Sequence, residues 1–297
     1  MINVEESAHF KWLSAVSPEA SELKSEMDKL GVPPKFINYM LDAREQPRAD
    51  YERVAEFGVL VVRGLTDNSH GKITSPVFIG FNRSLLITVC HDSEQNRVIK
   101  ELPQQDNITD LIFQILNSLI SPFFDKLEEL SNLAERIETR RGNVSNQRLD
   151  ELSNLKQNLV YLRAATTGNS LAIDELDDMV TADTNFPMAS NSEVIQRVAD
   201  LKVEYNQCQH GYEIVSNVAS EFESTFGNML NNRLNKTMQF LTVWSLLLAI
   251  PTIVSGFYGM NVKLPLATQP TAWVITLVIT FGLMLIMYVY LRKNNKL

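Results

Sequence analysis

The spacing of apolar and polar residues changes twice along the chain, and each change marks a different kind of element. Over residues 1–105 the pattern is short-range and mixed. Ser17-Pro18-Glu19 predicts a helix start, with Ser17 as the N-cap and proline in the first turn, and Gly31 before Val32-Pro33-Pro34 predicts its end. A second helix is expected from Lys35 to about Asp42. Gly58–Arg63, Val77–Phe81 and Leu85–Val89 read as short strands, with Asn82-Arg83-Ser84 as the hairpin turn between the last two. These elements predict a small α/β domain on a mostly antiparallel sheet.

Past Pro103 the period becomes helical. Leu111, Ile112, Ile115, Leu116, Leu119, Ile120, Phe123, Phe124, Leu127 and Leu130 make a wide apolar face that continues to Leu133 and Ile137. A break at Gly142-Asn143 and a return helix from near Ser145, with Leu149, Leu152, Leu155, Leu159 and Leu162 in spacing, predict a helical hairpin over 106–183. Its tip is expected to carry Arg136, Arg140, Arg141 and Arg148. After a polar break from Thr181 to Ser192, containing Asn185-Phe186-Pro187, one helix is expected to run to Phe257. At roughly 65 residues it is on the order of 100 Å long. A helix of that length needs partners along it, so residues 190–258 read as a stalk entering a membrane.

The second change is the loss of charge. Thr237 to Val262 carries none, which is long enough for a membrane-crossing helix, so the first span is placed at about 238–258. Residues 259–272 then form a loop, 273–291 a second span with Trp273, Tyr288 and Tyr290 at its interfaces, and 292–297 a basic tail. Arg233 and Lys236 precede the first span, Arg292, Lys293 and Lys296 follow the second, and only Lys263 lies between. The positive-inside rule therefore expects both termini to be cytoplasmic and the loop to face out. Read in alternating steps of three and four, the first span shows Asn235, Met238, Thr242, Ser245, Ala249, Thr252, Gly256 and Gly259. Apart from Met238 that line is small or polar, and it extends below the span through Asn231 and Asn228. Such a stripe in lipid either packs closely against other helices or lines a water-filled path. A single two-span hairpin cannot enclose a path, so conduction requires several copies around an axis.

Composition narrows the function without naming it. The mean hydropathy of −0.08 is that of a soluble protein only because the apolar runs crowd into the last sixth of the chain. A net charge of −8 and a pI near 5.2 argue against nucleic-acid binding over the whole surface. The N-terminus, MINVEESAHFKW, has no apolar core of a signal peptide, which places the N-terminal part in the cytosol. Cys90-His91 and Cys208-x-His210 lack zinc-finger spacing, and the thiols read as small buried hydrophobes. Asp174, Glu175, Asp177 and Asp178 read as a solvated face. With no Walker loop, dinucleotide turn or nucleophile–base pair in sequence, the chain is not expected to be an enzyme or to hold an organic cofactor.

Asn235-x-x-Met238-x-x-Leu241-Thr242, then Pro251-Thr252, then Gly256-x-Tyr258-Gly259-Met260-Asn261 resembles the membrane pattern of the CorA family of magnesium transporters across the whole first span. Asp42-Ala-Arg-Glu45-Gln-Pro47-Arg48 with Tyr51-Glu52 is similar to the acidic-Pro-Arg stretch of that family, and Leu86-Ile-Thr-Val89 to its last sheet strands. The fold this implies is an α+β cytosolic domain, a long helical stalk and a two-helix transmembrane hairpin, assembled as a funnel-shaped homopentamer in the cell membrane. By position, Gly259, Met260 and Asn261 would form the outer selectivity filter, with Asn261 holding the metal ion through its hydrating water. Thr252 would be a polar ring below it, Met238 and Leu241 a hydrophobic constriction and Asn235 the cytosolic end, with Thr242, Ser245, Ala249 and Gly256 lining the pore. The ion implied is Mg2+, both transported and regulatory, sensed by cytosolic carboxylates between protomers; no motif places those carboxylates here, and Asp200 is only a candidate.

Two positions depart from the family pattern. The loop after Asn261 reads Val262-Lys263-Leu264-Pro265 where relatives often carry acids, and Ala249 stands where they often have methionine. Zn2+, Co2+ or Ni2+ transport shares the same layout. A reading of another class is a membrane-anchored coiled-coil scaffold or sensor that conducts nothing.

Overall fold

The continuous apolar runs of the N-terminal part become strands because both faces of the sheet they form are covered. A computed structural model describes residues 2–6, 9–66, 73–103, 105–139, 145–183, 186–188, 192–260 and 271–293. The elements are β1 (Ile2–Glu6), β2 (Lys11–Val16), α1 (Ala20–Lys29), α2 (Pro34–Leu41), β3 (Arg48–Glu52), β4 (Phe57–Leu65), β5 (Thr74–Phe81), β6 (Leu85–Cys90), α3 (Ser93–Lys100), α4 (Ile108–Thr139), α5 (Asn146–Ala182), α6 (Ser192–Tyr258) and α7 (Ala272–Lys293). Two compact units result, Met1–Phe222 and Glu223–Leu297. Helix α6 begins in the first and ends in the second.

In the first unit the strands make a six-stranded sheet of order β1-β2-β6-β5-β4-β3, antiparallel except where β2 runs parallel to β6. On one face Leu13, Ala15, Val59, Val61, Ile87 and Val89 pack with Leu23 and Met27 of α1 and Phe36, Ile37 and Met40 of α2. The other face meets α3, α4 and α5. Every residue of β5 and β6 is buried, which is why neither shows the alternation of a half-exposed strand. The β5–β6 turn is held by Asn82, whose Oδ1 accepts from the N–H groups of Ser84 and Leu85, both at 2.9 Å.

Local chemistry sets the helix ends. Gly31, at φ +71°, closes α1: the N–H of Val32 reaches Met27 O at 3.0 Å and that of Gly31 reaches Asp28 O. The start of α1 corrects the expected cap. The helix begins at Ala20 with Glu19 in the N-cap position, while Ser17, at φ +38°, donates from its hydroxyl to His91 O and from its N–H to Cys90 O. Ser17 therefore ties the end of β2 to β6 instead of capping a helix. Four elements have no counterpart in the sequence pattern: β1, β2, β3 and α3, the last capped by Asp92, which accepts from Glu94 and Gln95 N–H at 3.0 Å each.

The helical hairpin is α4 and α5, with Ser145 as the N-cap of α5. Of the arginines expected at its tip, Arg136 is exposed and Arg140 and Arg141 lie outside the described residues, as do Gly142, Asn143 and, beyond α5, Asn185. Arg148 stands at the tip, in the first turn of α5. Its side chain is buried, and its guanidinium donates to Ile137 O, joining the first turn of α5 to the last turn of α4. The lower part of α6 is bound to α4 by two tyrosines one heptad apart: Tyr205 OH donates to Leu116 O at 3.0 Å and Tyr212 OH to Phe123 O at 2.8 Å. Burial raises both phenol pKa values, so each remains a donor.

Candidate functional site

The second unit contains the end of α6 and the whole of α7, and both are long and apolar enough to cross a membrane. The apolar face of α6 that meets α7 is set by helical spacing. Val243 and Val254 are buried, Leu247 and Ile250 half-buried, and these four fall on one line at steps of four, three and four. Ile250, Ile253 and Val254 share an apolar groove of 420 Å³ with Leu283, Ile286, Met287 and Tyr290 of α7.

The small and polar stripe lies on the reverse of that face. Ser245, Ala249, Thr252 and Gly256 each stand two residues beyond a member of the apolar line, and two residues turn an α-helix by about 200°. Asn235, Thr242, Ser245, Thr252, Gly256 and Gly259 are exposed, as are Met238 and Leu241, and Ala249 is half-buried. Exposure alone does not single them out, because Phe240, Trp244 and Leu248 are open as well. Chemistry does. The exposed aromatic and branched residues suit lipid, whereas the stripe offers hydroxyls, glycines and a carboxamide, which lipid does not stabilise. Packing against α7 within the chain therefore leaves the stripe uncovered.

The two threonine hydroxyls on the stripe have a fixed polarity. Thr242 Oγ1 donates to Met238 O at 2.8 Å and Thr252 Oγ1 to Leu248 O at 3.3 Å. With the proton directed back along the helix, the oxygen lone pairs remain as acceptors, which suits the waters around a cation, since those waters donate outward. The bond from the Gly259 N–H to Ser255 O at 2.9 Å carries the winding past Tyr258, and the Met260 N–H closes a tighter turn on Phe257 O at 3.2 Å. The negative end of the α6 dipole thus falls where Gly259 and Met260 begin. Pro251 has no N–H for the Leu247 carbonyl, a local weakening within the span. Asn261, Lys263 and most of the 259–272 loop lie outside the described residues, as do residues 294–297 of the basic tail.

Among the described residues no three His, Cys, Asp or Glu side chains converge. The acids expected to be a solvated face are largely engaged: Lys202 Nζ lies 3.3 Å from Asp174 and 3.1 Å from Asp177, and Glu175 accepts from the Ala49 N–H at 2.7 Å. Asp200 accepts from the Gln196 side chain at 3.1 Å. Cys90 is buried in β6 and Cys208 in α6, and burial pushes both thiols up to about 12 from the model-compound value of 9.0. The thiolate, which is the reactive form, is therefore scarce in the folded chain. The folded chain is accordingly expected to take up no iodoacetamide at either position, and the unfolded chain to take up two. Rapid labelling of the folded protein, read by mass spectrometry, would contradict that burial.

Comparison with known proteins agrees with this layout. A family model described as CorA-like Mg2+ transporter protein matches residues 7–293. The chain is 21% identical to the cobalt/magnesium transport protein CorA of Methanocaldococcus jannaschii, over 95% of this chain and 90% of that one. The complete structure of the CorA magnesium transporter from the same organism superposes with a TM-score of 0.80 at 20% identity, covering 97% of this chain and 92% of the other. The full-length CmaX protein superposes with a TM-score of 0.76 at 13% identity, covering 97% and 90%.

Proposed function

The chain belongs to the family of CorA-like Mg2+ transporter proteins, and from that premise we propose that it is a channel for divalent cations, Mg2+ first among them. Five copies surround one axis with the α6 stripe turned inward and α7 outside. Hydrated ions pass down their electrochemical gradient, Gly259, Met260 and Asn261 form the outer filter, and Asn261 holds the ion through its water shell. Met238 and Leu241 form the constriction, able to close by dewetting, and Asn235 marks the inner end. Both termini lie in the cytosol, and Mg2+ bound there between protomers holds the closed state. The observation that carries this reading is the position of the stripe on the face of α6 opposite α7, with its hydroxyl oxygens left as acceptors.

The physical chemistry favours a hydrated cargo. Mg2+ dehydrates reluctantly, and neutral oxygens can hold its water shell without trapping the ion. A +2 ion moving inward gains about 4.6 kcal/mol per 100 mV, twice the single-charge value. Co2+ is a second cargo to test, because the named archaeal relative is a cobalt/magnesium transport protein; Zn2+ and Ni2+ complete the set. Liposomes carrying the purified chain are expected to take up Mg2+ under an inside-negative potential, and Asn261→Ala to remove most of that uptake. Unchanged uptake in Asn261→Ala would refute the filter. Native mass spectrometry showing only a monomer or dimer would refute the central pore.

A further inference from the structure

The chain carries 35 acidic and 27 basic side chains, so a cavity whose described lining holds two arginines and no carboxylate is unexpected. One of 440 Å³ lies in the first unit, where the connection between α2 and β3 meets β4, β5 and α5, and Arg44, Gln46, Arg63, Thr74, Tyr161 and Ala165 line it. Arg63 is half-buried there and is held only by neutral acceptors. Its Nε donates to Thr74 Oγ1 at 3.0 Å, one terminal nitrogen to Glu45 O at 3.1 Å and the other to Thr74 O at 2.9 Å. A guanidinium has five N–H groups, so two remain. Burial lowers its pKa and no acid offsets that effect.

The nearby acids are committed elsewhere. The Glu45 carboxylate pairs with Arg48 Nε at 3.0 Å, and Asp42 Oδ1 accepts from the Arg44 backbone N–H at 2.8 Å. The Arg44 side chain is exposed, and among the described residues neither it nor Arg63 has a carboxylate partner. A guanidinium drawn out of water without a counter-ion is unfavourable, and an anion from solution offsets that cost. Two guanidinium forks facing one space match the oxygens of a phosphate. The Tyr161 ring, 55% exposed at the rim, offers a flat apolar surface beside them.

We propose that this cavity binds a small soluble phosphate ester of nucleotide size, with Arg44 and Arg63 on the phosphate oxygens and Tyr161 against the remainder. The volume falls in the range of small-molecule sites. Occupancy reaches α5 directly, because Asn169 of that helix holds both backbone groups of Arg63, at 2.7 and 2.8 Å. The proposal does not depend on ion conduction.

Isothermal titration of the full chain in detergent, in a divalent-free buffer of fixed ionic strength, tests it with AMP, ATP, inorganic phosphate and adenosine. The nucleotides are expected to bind with submillimolar affinity, phosphate more weakly at the same site, and adenosine not measurably. Arg44→Ala, at an exposed position where folding is not at risk, is expected to weaken nucleotide binding about tenfold or more, and Arg63→Lys to do likewise. No binding of any phosphate up to about 10 mM overturns the proposal, as does adenosine binding as well as AMP, or an affinity unchanged in Arg44→Ala.

Discussion

Thr252→Leu is expected to lower divalent-cation flux into liposomes about a hundredfold or more, with oligomer size and thermal stability unchanged. The fold has little stake in this residue. Thr252 is exposed, and its hydroxyl bonds back to Leu248 O at 3.3 Å. Leucine is the better helix former, so the span loses nothing. In the proposed channel the path loses an acceptor oxygen and gains an isobutyl group in every copy. A hundredfold loss corresponds to about 2.7 kcal/mol of added barrier, a modest demand for drying a polar ring. Ile253→Leu, one residue on and about 100° around the helix, is the control, because Ile253 lines the groove against α7. It is expected to conduct normally.

The same pair of variants separates the channel from a scaffold that conducts nothing. For a scaffold the stripe is a dry packing surface, and neither variant alters any flux. Flux that is present in the unmodified chain and unaffected by Thr252→Leu would place the ion path elsewhere. Ser245 stands on the same line and predicts the same result, so a response at one position without the other would also break the stripe as a continuous path.

What was legible in the sequence is what repeats. The α6 stripe, the apolar face of α4 and the two uncharged spans each declare themselves over several turns, and α6 and α7 fall within two residues of their expected bounds. Single-residue signals were less dependable. Ser17-Pro18-Glu19 has the chemistry of a helix start, but Ser17 is drawn into tertiary bonds with His91 and Cys90, which local spacing cannot reveal. Strand β1, Ile-Asn-Val-Glu-Glu, is an edge strand with little apolar content, and helix α3 is polar over most of its length, so neither gives a periodic signal. The candidate site divides in the same way. Its line was readable from residue spacing, whereas the face that α7 covers, and hence which face stays open, required the packing of Val243, Leu247, Ile250 and Val254. The arginine-lined cavity was not readable at all, since Arg44, Arg63 and Tyr161 come from a connection, a strand and a helix far apart in sequence.

Asn169→Leu is expected to destabilise the first unit by about 2–6 kcal/mol, because it strands two part-buried backbone groups at once. In the fold, β3 begins at Arg48, opposite Val61, so β4 continues past it and the backbone of Arg63 has no strand partner on that side. The Asn169 side chain takes the missing strand's place. Its Oδ1 accepts from Arg63 N–H at 2.7 Å and its Nδ2 donates to Arg63 O at 2.8 Å, with the residue 3% exposed. Leucine fills similar space but can neither donate nor accept, so each group bears its own desolvation cost, about 1–3 kcal/mol. For a unit of this size that corresponds to a fall in Tm of roughly 5–20 °C, readable by scanning fluorimetry of the full chain. Asn169→Asp keeps the acceptor and loses the donor, and is expected to fall between leucine and the native residue. If Asn169→Leu melts with the native chain, Arg63 is satisfied in another way, and the coupling of the arginine cavity to α5 fails with it.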